Sequence, residues 1–410
     1  MPLIVQKFGG TSVATPERIL VVAERVARAR KDGNDVIVVV SAMGESTDEL
    51  LDLAQRVSPN PPARELDMLL TAGERISMAL LAIAIQDRGV EAVSFTGSQA
   101  GILTDAAHGA AKITEIRGHR VREALDNGRV VIVAGFQGVD PDTKEITTLG
   151  RGGSDATAVA LAAAHDADVC EVFTDVDGVY SADPRIVRSA RLLREVSFEE
   201  MLELSAGGAR VLMARSVEFG RRFEIPIHVR SSFHDGEGTW VKEHTMEQAI
   251  ISGIAHDVSE AKVTVRGVPD TPGVAAALFE PLAERSINVD MIVQNVSRDA
   301  ATDISFTVPR EHAPVAREVA SAVAAEVGAA GVDVDENVAK VSLVGAGMKS
   351  HPGVAARVFR ALANKGINIQ MISTSTIRIS CVVDADHIDE AVRTLHDEFQ
   401  PPLILEEVGA

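Results

Sequence analysis

The run Arg151-Gly152-Gly153-Ser154-Asp155 places a cation, a glycine pair and two polar side chains directly ahead of an alanine-rich stretch, Ala156 to Ala164. Free N–H groups and the positive dipole end at the start of a helix bind anions. Ser154 has the side chain of an N-cap, and Asp155 falls in the first turn, where a carboxylate is favoured. An ordinary glycine turn entering a capped helix fits the same five residues. A second candidate, Lys7-Phe8-Gly9-Gly10-Thr11-Ser12, sits between a strand pattern and a helix pattern. Its glycines admit close backbone approach, and Lys7 brings positive charge where it is scarce. The third runs from Phe173 to Arg185, with Asp-Gly and Asp-Pro turns after an apolar strand. Asp175 and Asp177 have the spacing that opens an EF-hand, but the later acidic positions and closing glutamate are missing. A nucleotide-holding loop with Arg185 near phosphate is the better reading. Neither GxxxxGK[ST] nor GxGxxG occurs, since Gly345-Ala346-Gly347 fails at Ser350. The 11 histidines lie outside all three segments and read as surface or structural residues.

The elements that must carry these residues alternate. Leu3–Val5, Asp35–Val40, Ala92–Phe95, Val130–Ala134 and Val169–Phe173 read as buried strands. Helical patterns cover Pro16–Lys31 (Thr15 capping, Pro16 at N1), Pro62–Asp87, Ile113–Asn127 and Ala156–Ala164. This alternation predicts an α/β fold with a mainly parallel sheet, whose ligands bind beyond the carboxyl ends of the strands. The glycine-rich segments fall at such ends.

The last third of the chain repeats itself. Pro272-Gly273-Val274-Ala275-Ala276 returns as Pro352-Gly353-Val354-Ala355-Ala356, and Phe279, Leu282, Ile287, Asn288, Met291 and Ile292 return as Phe359, Leu362, Ile367, Asn368, Met371 and Ile372. Lys262–Val265 and Lys340–Leu343 read as strands ahead of the two copies, giving two ββαβ-type units. They form a regulatory or pairing module, or a structural duplication without a ligand. Residues 237–256, polar and containing Gly238 and Gly253, read as the hinge. The expected domains are 1–245, 260–336 and 337–410, the last possibly drawing in a strand from 249–258.

Composition bounds the function. The 410 residues suffice for two or three domains, and a hydrophobic content of 46% is that of an ordinary folded protein. A net charge of −19 argues against nucleic-acid binding, so any phosphate must be held locally. Cys170 and Cys381 read as reduced core thiols. With no apolar leader, and with apolar runs such as Ala156–Ala164 too short to span a bilayer, a cytoplasmic protein without membrane contact is expected.

Taken together, KFGGTS at Lys7–Ser12, Ser41-Ala42-Met43-Gly44, Leu70-Thr71-Ala72-Gly73-Glu74, Gly135-Phe136-Gln137-Gly138, LGRGGSD at Leu149–Asp155 and FTDVDGVYSADPR at Phe173–Arg185 resemble the amino-acid kinase family. Within it they resemble the aspartokinase branch of lysine/threonine-sensitive actinobacterial type, and the repeats are similar to its paired ACT domains. The resemblance implies a three-layer amino-acid kinase fold followed by two ferredoxin-like ACT domains. It also implies transfer of the ATP γ-phosphoryl group to the side-chain carboxylate of L-aspartate, with Mg²⁺ carried by the nucleotide and no metal site of the chain's own. An ionised carboxylate needs no general base, which suits a sequence without a Ser–His or Cys–His constellation.

By that resemblance Lys7 stabilises charge on the transferring group, Gly9 and Gly10 donate N–H groups, and Asp155 orients Lys7 and the nucleotide. Arg151, with Gly152, Gly153 and Ser154, takes the substrate α-carboxylate. Glu74 takes the α-ammonium (its alternative being an ion pair with Arg75), and Ser41, Thr47, Leu125 and Asp126 complete the pocket. Thr174, Asp175, Tyr180, Ser181, Ala182, Asp183, Pro184, Arg185 and Arg210 frame ATP. Arg210 stands where many members have lysine, and Met213-Ala214 where they have His-Pro. Effector contacts fall on Asp270, Val274, Ala275, Asn288, Val289, Asp290 and Gln294 in the first repeat. In the second they fall on Val354, Ala355, Asn368, Ile369 and Ser375. There Asp290 becomes Gln370, Asp270 becomes the Lys349-Ser350 region, and Thr376 replaces a common glutamate. Lysine plus threonine are the expected inhibitors, bound between two chains of a homo-oligomer or an α₂β₂ assembly. An internal start near Met246 would make the small subunit of the latter. A glutamate 5-kinase, an N-acetylglutamate kinase and a non-catalytic amino-acid sensor are the alternatives.

Overall fold

The computed structural model describes residues 1–243, 250–295, 301–351 and 353–401, apart from the side chains of Lys349 and Ser350. Met246 and 402–410 lie outside the described residues. The chain forms two compact units. One gathers Met1–Val179, Leu192–Ser205 and the described part of 210–246; the other gathers Tyr180–Arg191, Ala206–Ala209 and the described part of 247–410.

In the first unit the order is β1 (Leu3–Phe8), α1 (Pro16–Lys31), β2 (Asp35–Val40), α2 (Ser46–Val57), α3 (Ala63–Gln86), β3 (Ala92–Phe95), β4 (Ile102–Thr104) and β5 (Ile113–Ile116). Then come α4 (His119–Asp126), β6 (Val130–Ala134), β7 (Gln137–Val139), β8 (Ile146–Thr148), α5 (Gly153–Ala164) and β9 (Val169–Thr174). β10 (Glu195–Ser197), α6 (Phe198–Ala206), α7 (Ala214–Arg222), β11 (Ile227–Ser231) and β12 (Thr239–Lys242) complete it. Eight strands pair in the order β10-β12-β11-β9-β1-β2-β6-β3, all parallel except β11 against β12. β2, Asp-Val-Ile-Val-Val-Val, is buried along almost its whole length because both faces are covered. On one face α1 and α3 bury Ile19, Val22, Leu81 and Ile85 against Val36, Val38 and Ile132. α5, whose residues Gly153 to Ala162 are all buried, packs on β1, β2 and β9. A small sheet, β5-β4-β7-β8, stands beside this three-layer core.

Three sequence expectations change. Ile113–Asn127 is not one helix: Ile113–Ile116 is β5, and the helix begins at His119 after Gly118, whose φ of +49° breaks the run. In the stretch read as a hinge, Thr239–Lys242 is β12 and Gly253–Asp257 is a strand of the second unit. Among the described helices α3 is long and apolar enough to cross a membrane, contrary to the expectation from Ala156–Ala164. Half of that stretch is buried within the protein.

The second unit contains β13 (Gly253–Asp257), β14 (Glu260–Pro269), α8 (Val274–Glu284), β15 (Asp290–Gln294), β16 (Ala301–Pro309), α9 (Ala313–Val327) and β17 (Gly331–Asp335). The second copy follows as β18 (Val338–Val344), α10 (Val354–Asn364), β19 (Met371–Thr374), β20 (Arg378–Asp384) and α11 (Ile388–Phe399). Each copy is thus β-α-β-β-α rather than ββαβ, its second helix lying outside the repeated motif. The sheets are β15-β16-β14-β17 and β13-β18-β20-β19, with β13 holding beside β18 the place that β17 holds beside β14. Gly273 and Gly353 precede the repeat-related helices with φ of +98° and +99°. Cys170 and Cys381 are buried free thiols, and burial pushes the Cys381 thiol up to about 12.

Candidate active site at the carboxyl ends of the parallel strands

Lys7 is the penultimate residue of β1, in register with Val39 of β2 and Val172 of β9. Its ammonium meets the Asp155 carboxylate at 2.5 Å, with both side chains about nine-tenths buried. Asp155 lies in the first turn of α5, so that a cation, a carboxylate and a helix N-terminus converge. The N-cap is Gly152 at φ +71°, not Ser154. Ser154 is the second residue of α5, buried where it lies against Gly135. Gly9 donates its N–H to Phe173 O at 3.4 Å, so its direction is toward β9.

Glycine at position 10 is required by contact. A Cβ there would lie 2.8 Å from Gly44 O, and Gly44 N–H donates to Gly10 O at 3.0 Å. The Lys7–Ser12 turn and the Ser41–Gly44 turn are thereby fused. Ser12, in the helical turn Gly10–Val13, shares a buried hydroxyl contact of 2.5 Å with Ser232 after β11. The sequence reading missed Ser232, which follows no chemical motif.

Glu74 is held from α3. A Cβ at Gly73 would lie 2.7 Å from the Ala42 Cβ, so only glycine lets α3 close on the loop after β2. Glu74 Oε1 accepts from Ala42 N at 3.3 Å, and Oε2 is buried without a partner. Burial pushes its carboxyl up to about 7. That disposes of the surface pair with Arg75: Glu74 is only 3% exposed. Ser41 accepts a hydrogen bond at its carbonyl from Ser77 Oγ (2.7 Å), and Thr47 lies half-buried in the first turn of α2. Arg151 is exposed in the turn before α5, with no hydrogen bond or ion pair among the described residues. Met213, unremarkable in the sequence, covers Gly152 so closely that a Cβ there would overlap it.

Leu125 and Asp126 do not belong to this group. They end α4, which leads into β6, and a helix leading into a parallel strand ends at that strand's amino edge. The following Gly128 accepts from Arg30, which also pairs with Asp35 at the start of β2. Leu125 is a core residue at 5% exposure, and Asp126 is exposed at the opposite end of the sheet from Lys7.

The loop after β9 divides. Thr174 donates its hydroxyl to Asp175 Oδ1 at 3.1 Å within the first unit. Tyr180 to Arg185 pack in the second unit. Ser181 is fully buried against His396 Nε2 at 3.2 Å, and Ala182 is a core residue, so neither offers its side chain to a nucleotide. Asp183 binds the Arg185 guanidinium at 2.7 Å, which holds its carboxyl below the usual range, and Pro184 lies between them. Arg210 is exposed ahead of α7.

In the second unit a cavity of about 350 Å³ is lined by Asn288, Val289, Asp290, Glu260, Thr307 and Lys340, among others. Lys340 is almost completely buried; it binds Glu260 and, at 3.0 Å, Asp290. Burial alone would lower its pKa, but the two carboxylates raise it. Glu260 Oε2 and Thr307 Oγ1 remain buried without partners. Asp270, Val274, Ala275 and Gln294, and Val354, Ala355, Asn368, Ile369 and Ser375, do not line this cavity.

The amino acid kinase family profile matches residues 2–231, and the ACT domain profile matches 263–323 and 341–399. The chain is 59% identical over 405 residues to the aspartokinase of Mycolicibacterium smegmatis, covering 97% of this chain and 96% of that one. The fold is similar to E. coli aspartokinase III in complex with aspartate and ADP, with a TM-score of 0.82, 26% identity and coverage of 97% and 100%. It is also similar to that enzyme in complex with lysine and aspartate, with a TM-score of 0.73, 26% identity and coverage of 96% and 99%. An α/β core with Lys7, Asp155 and Glu74 at its carboxyl ends, paired ACT repeats and this similarity lead to one conclusion: the chain belongs to the aspartokinases of the amino acid kinase family, ATP-dependent phosphotransferases with ACT regulatory domains.

Proposed function

We propose that this chain transfers the γ-phosphoryl group of ATP to the β-carboxylate of L-aspartate, giving 4-phospho-L-aspartate and ADP, the first step of lysine, threonine and methionine biosynthesis. The observation that favours a free amino acid as acceptor is the buried Glu74 Oε2, without a partner among the described residues, which suits an α-ammonium group. Arg151, without a partner among the described residues, suits the α-carboxylate at the other end of the same amino acid. A β-carboxylate oxygen attacks the γ-phosphorus, the bond to the β,γ-bridging oxygen breaks, and that oxygen leaves with ADP. Lys7 offsets charge on the transferring group, and Asp155 fixes where Lys7 points. Mg²⁺ carried by the nucleotide would supply charge neutralisation at the phosphates, with Asp155 the acidic side chain placed to face it. A hydroxamate assay with ATP and L-aspartate, run beside L-glutamate and N-acetyl-L-glutamate, should give product with L-aspartate alone. Preference for either glutamate compound would refute this acceptor.

Lysine plus threonine would inhibit through the ACT repeats. The support is the cavity at Lys340, whose orphaned Glu260 and Thr307 oxygens beside a buried ammonium suit a zwitterion. An effector acts only through unequal affinity for two states. Edge strands β15 and β19 each expose a repeat-related residue, Ile292 and Ile372, which suits assembly of copies through the ACT domains. Initial velocities with each amino acid alone and with both test the inhibition, and light scattering tests the assembly. Velocities indifferent to both would exclude the regulatory reading.

A further inference from the structure

We infer that Asp67 is a positioning residue for amino-acid binding, tying the turn that carries Arg151 to the helix that carries Glu74. The inference rests on the reading that Glu74 and Arg151 hold the two ends of the substrate. Asp67 lies on α3 two turns before Glu74, on the same helix face. It is a carboxylate at 1% exposure, which is costly unless donors surround it. Thr148 Oγ1 donates to its Oδ1 at 2.6 Å, His108 Nδ1 lies 2.7 Å from its Oδ2, and Gly109 N–H reaches both oxygens at 3.1 and 3.2 Å.

Thr148 closes β8, three residues before Arg151. The loop with His108 and Gly109 is stacked against the turn it begins. Ala111 N–H donates to Thr148 O at 2.9 Å, and a Cβ on Gly150 would lie 3.0 Å from Gly109 O. On the far side Arg215 of α7 donates to Leu149 O at 3.1 Å and Ala111 O at 3.0 Å. The turn is thus bracketed between one buried carboxylate and one guanidinium, so the exposed Arg151 side chain stands on a fixed base. Asp67 sets the separation between the two groups that must span one amino acid. Among the described residues the side chains of Lys7 and Asp155 make no hydrogen bond to Asp67, His108, Gly109, Thr148 or Arg215.

The test is initial-rate kinetics on full-length Asp67→Asn, Arg151→Ala and the double variant, with both substrates varied. Asn keeps the volume but presents an amide donor to donors. Asp67→Asn should raise KM for L-aspartate about tenfold and leave KM for ATP within about twofold. In the Arg151→Ala background the same change should cost far less, since residues acting through one another are not additive. Equal rises in both KM values, full additivity, or an unchanged aspartate KM with only a lower melting temperature would overturn the inference. A normal aspartate KM in Arg151→Ala would instead overturn the reading of Arg151 on which it rests. Should Asp67→Asn fail to fold, Thr148→Val removes a single donor and carries the same selective rise, about threefold.

Discussion

A Glu74 that takes the α-ammonium, as proposed, would couple substrate binding to pH with a definite sign. In the free protein its carboxyl sits at about 7 because burial disfavours the anion. The ammonium of the amino acid would require the anion, so kcat/KM for L-aspartate, which reports the free enzyme, should fall with one proton below pH 7. By simple titration about one-tenth of the protein is ionised at pH 6, giving a decline of about tenfold from the plateau. Glu74→Gln should remove that limb and lower the plateau by about 10- to 150-fold, the loss of one charge-assisted hydrogen bond. Stability supplies an independent reading. A carboxyl raised from 4.5 to about 7 contributes stability below pH 4.5 and loses it as pH rises through 7. The loss is at most about 3 kcal/mol, from 1.36 kcal/mol per pH unit. Glu74→Gln should therefore melt higher than the parent at pH 8 but not at pH 4.5. An acid limb that survives in Glu74→Gln, or a lower melting point at pH 8, would refute the reasoning.

Three further outcomes follow from placement. Lys7→Ala should cut turnover by about 10²–10³-fold while amino-acid binding to the ACT repeats, measured by calorimetry, stays intact; joint loss would mean misfolding. Leu125→Ala should cost about 2–5 kcal/mol of stability and leave both KM values unchanged in the folded fraction, because it is a core residue at the wrong end of the sheet. Lys340→Met should cost about 3–5 kcal/mol by stranding the Glu260 carboxylate, whereas Lys262→Met, whose partner is the neutral amide of Gln370 at 2.5 Å, should cost no more than about 1.5. Thermal denaturation of the two variants side by side checks this asymmetry.

Local chemistry was readable; distance was not. Lys7, Gly10, Gly73 and Asp155 are legible in the chain because a strand end, a close backbone approach or a helix start each demands a residue type. Asp35–Val40 and Pro16–Lys31 form as their patterns predict, because apolar period and an N1 proline are local signals. Ile113–Asn127 misled because Gly118 interrupts a pattern that otherwise keeps helical spacing. Leu125 and Asp126 misled because motif adjacency carries no information about which end of a parallel sheet a helix serves. Asp67, 81 residues before Thr148 in the chain, is invisible for a plainer reason. A buried aspartate on an amphipathic helix looks like any polar residue until its donors arrive from elsewhere.

The two repeats show the same rule in reverse: apolar positions, Asn288/Asn368 and the lysine pair were kept, but the groups around the lysine tips were not. The offset relating Lys262 to Lys340 takes Glu260 to Val338, while across the strands Lys262 faces Thr307 and Lys340 faces Val382. With Asp290 matched by Gln370, every acidic or hydroxyl group around one lysine tip has an apolar or neutral counterpart around the other. Lys340, a residue of the second repeat, reaches into the first repeat's acidic set, Glu260 and Asp290. Val338 and Val382 instead join Met291 and Met371 in an apolar cluster. One pseudo-equivalent position thus has polar atoms without partners among the described residues beside a cavity, and the other has an apolar cluster beside the Lys262–Gln370 hydrogen bond. Duplication here has therefore kept a polar set around the Lys340 ammonium and put an apolar cluster at the related position, rather than preserving two equal sets of groups.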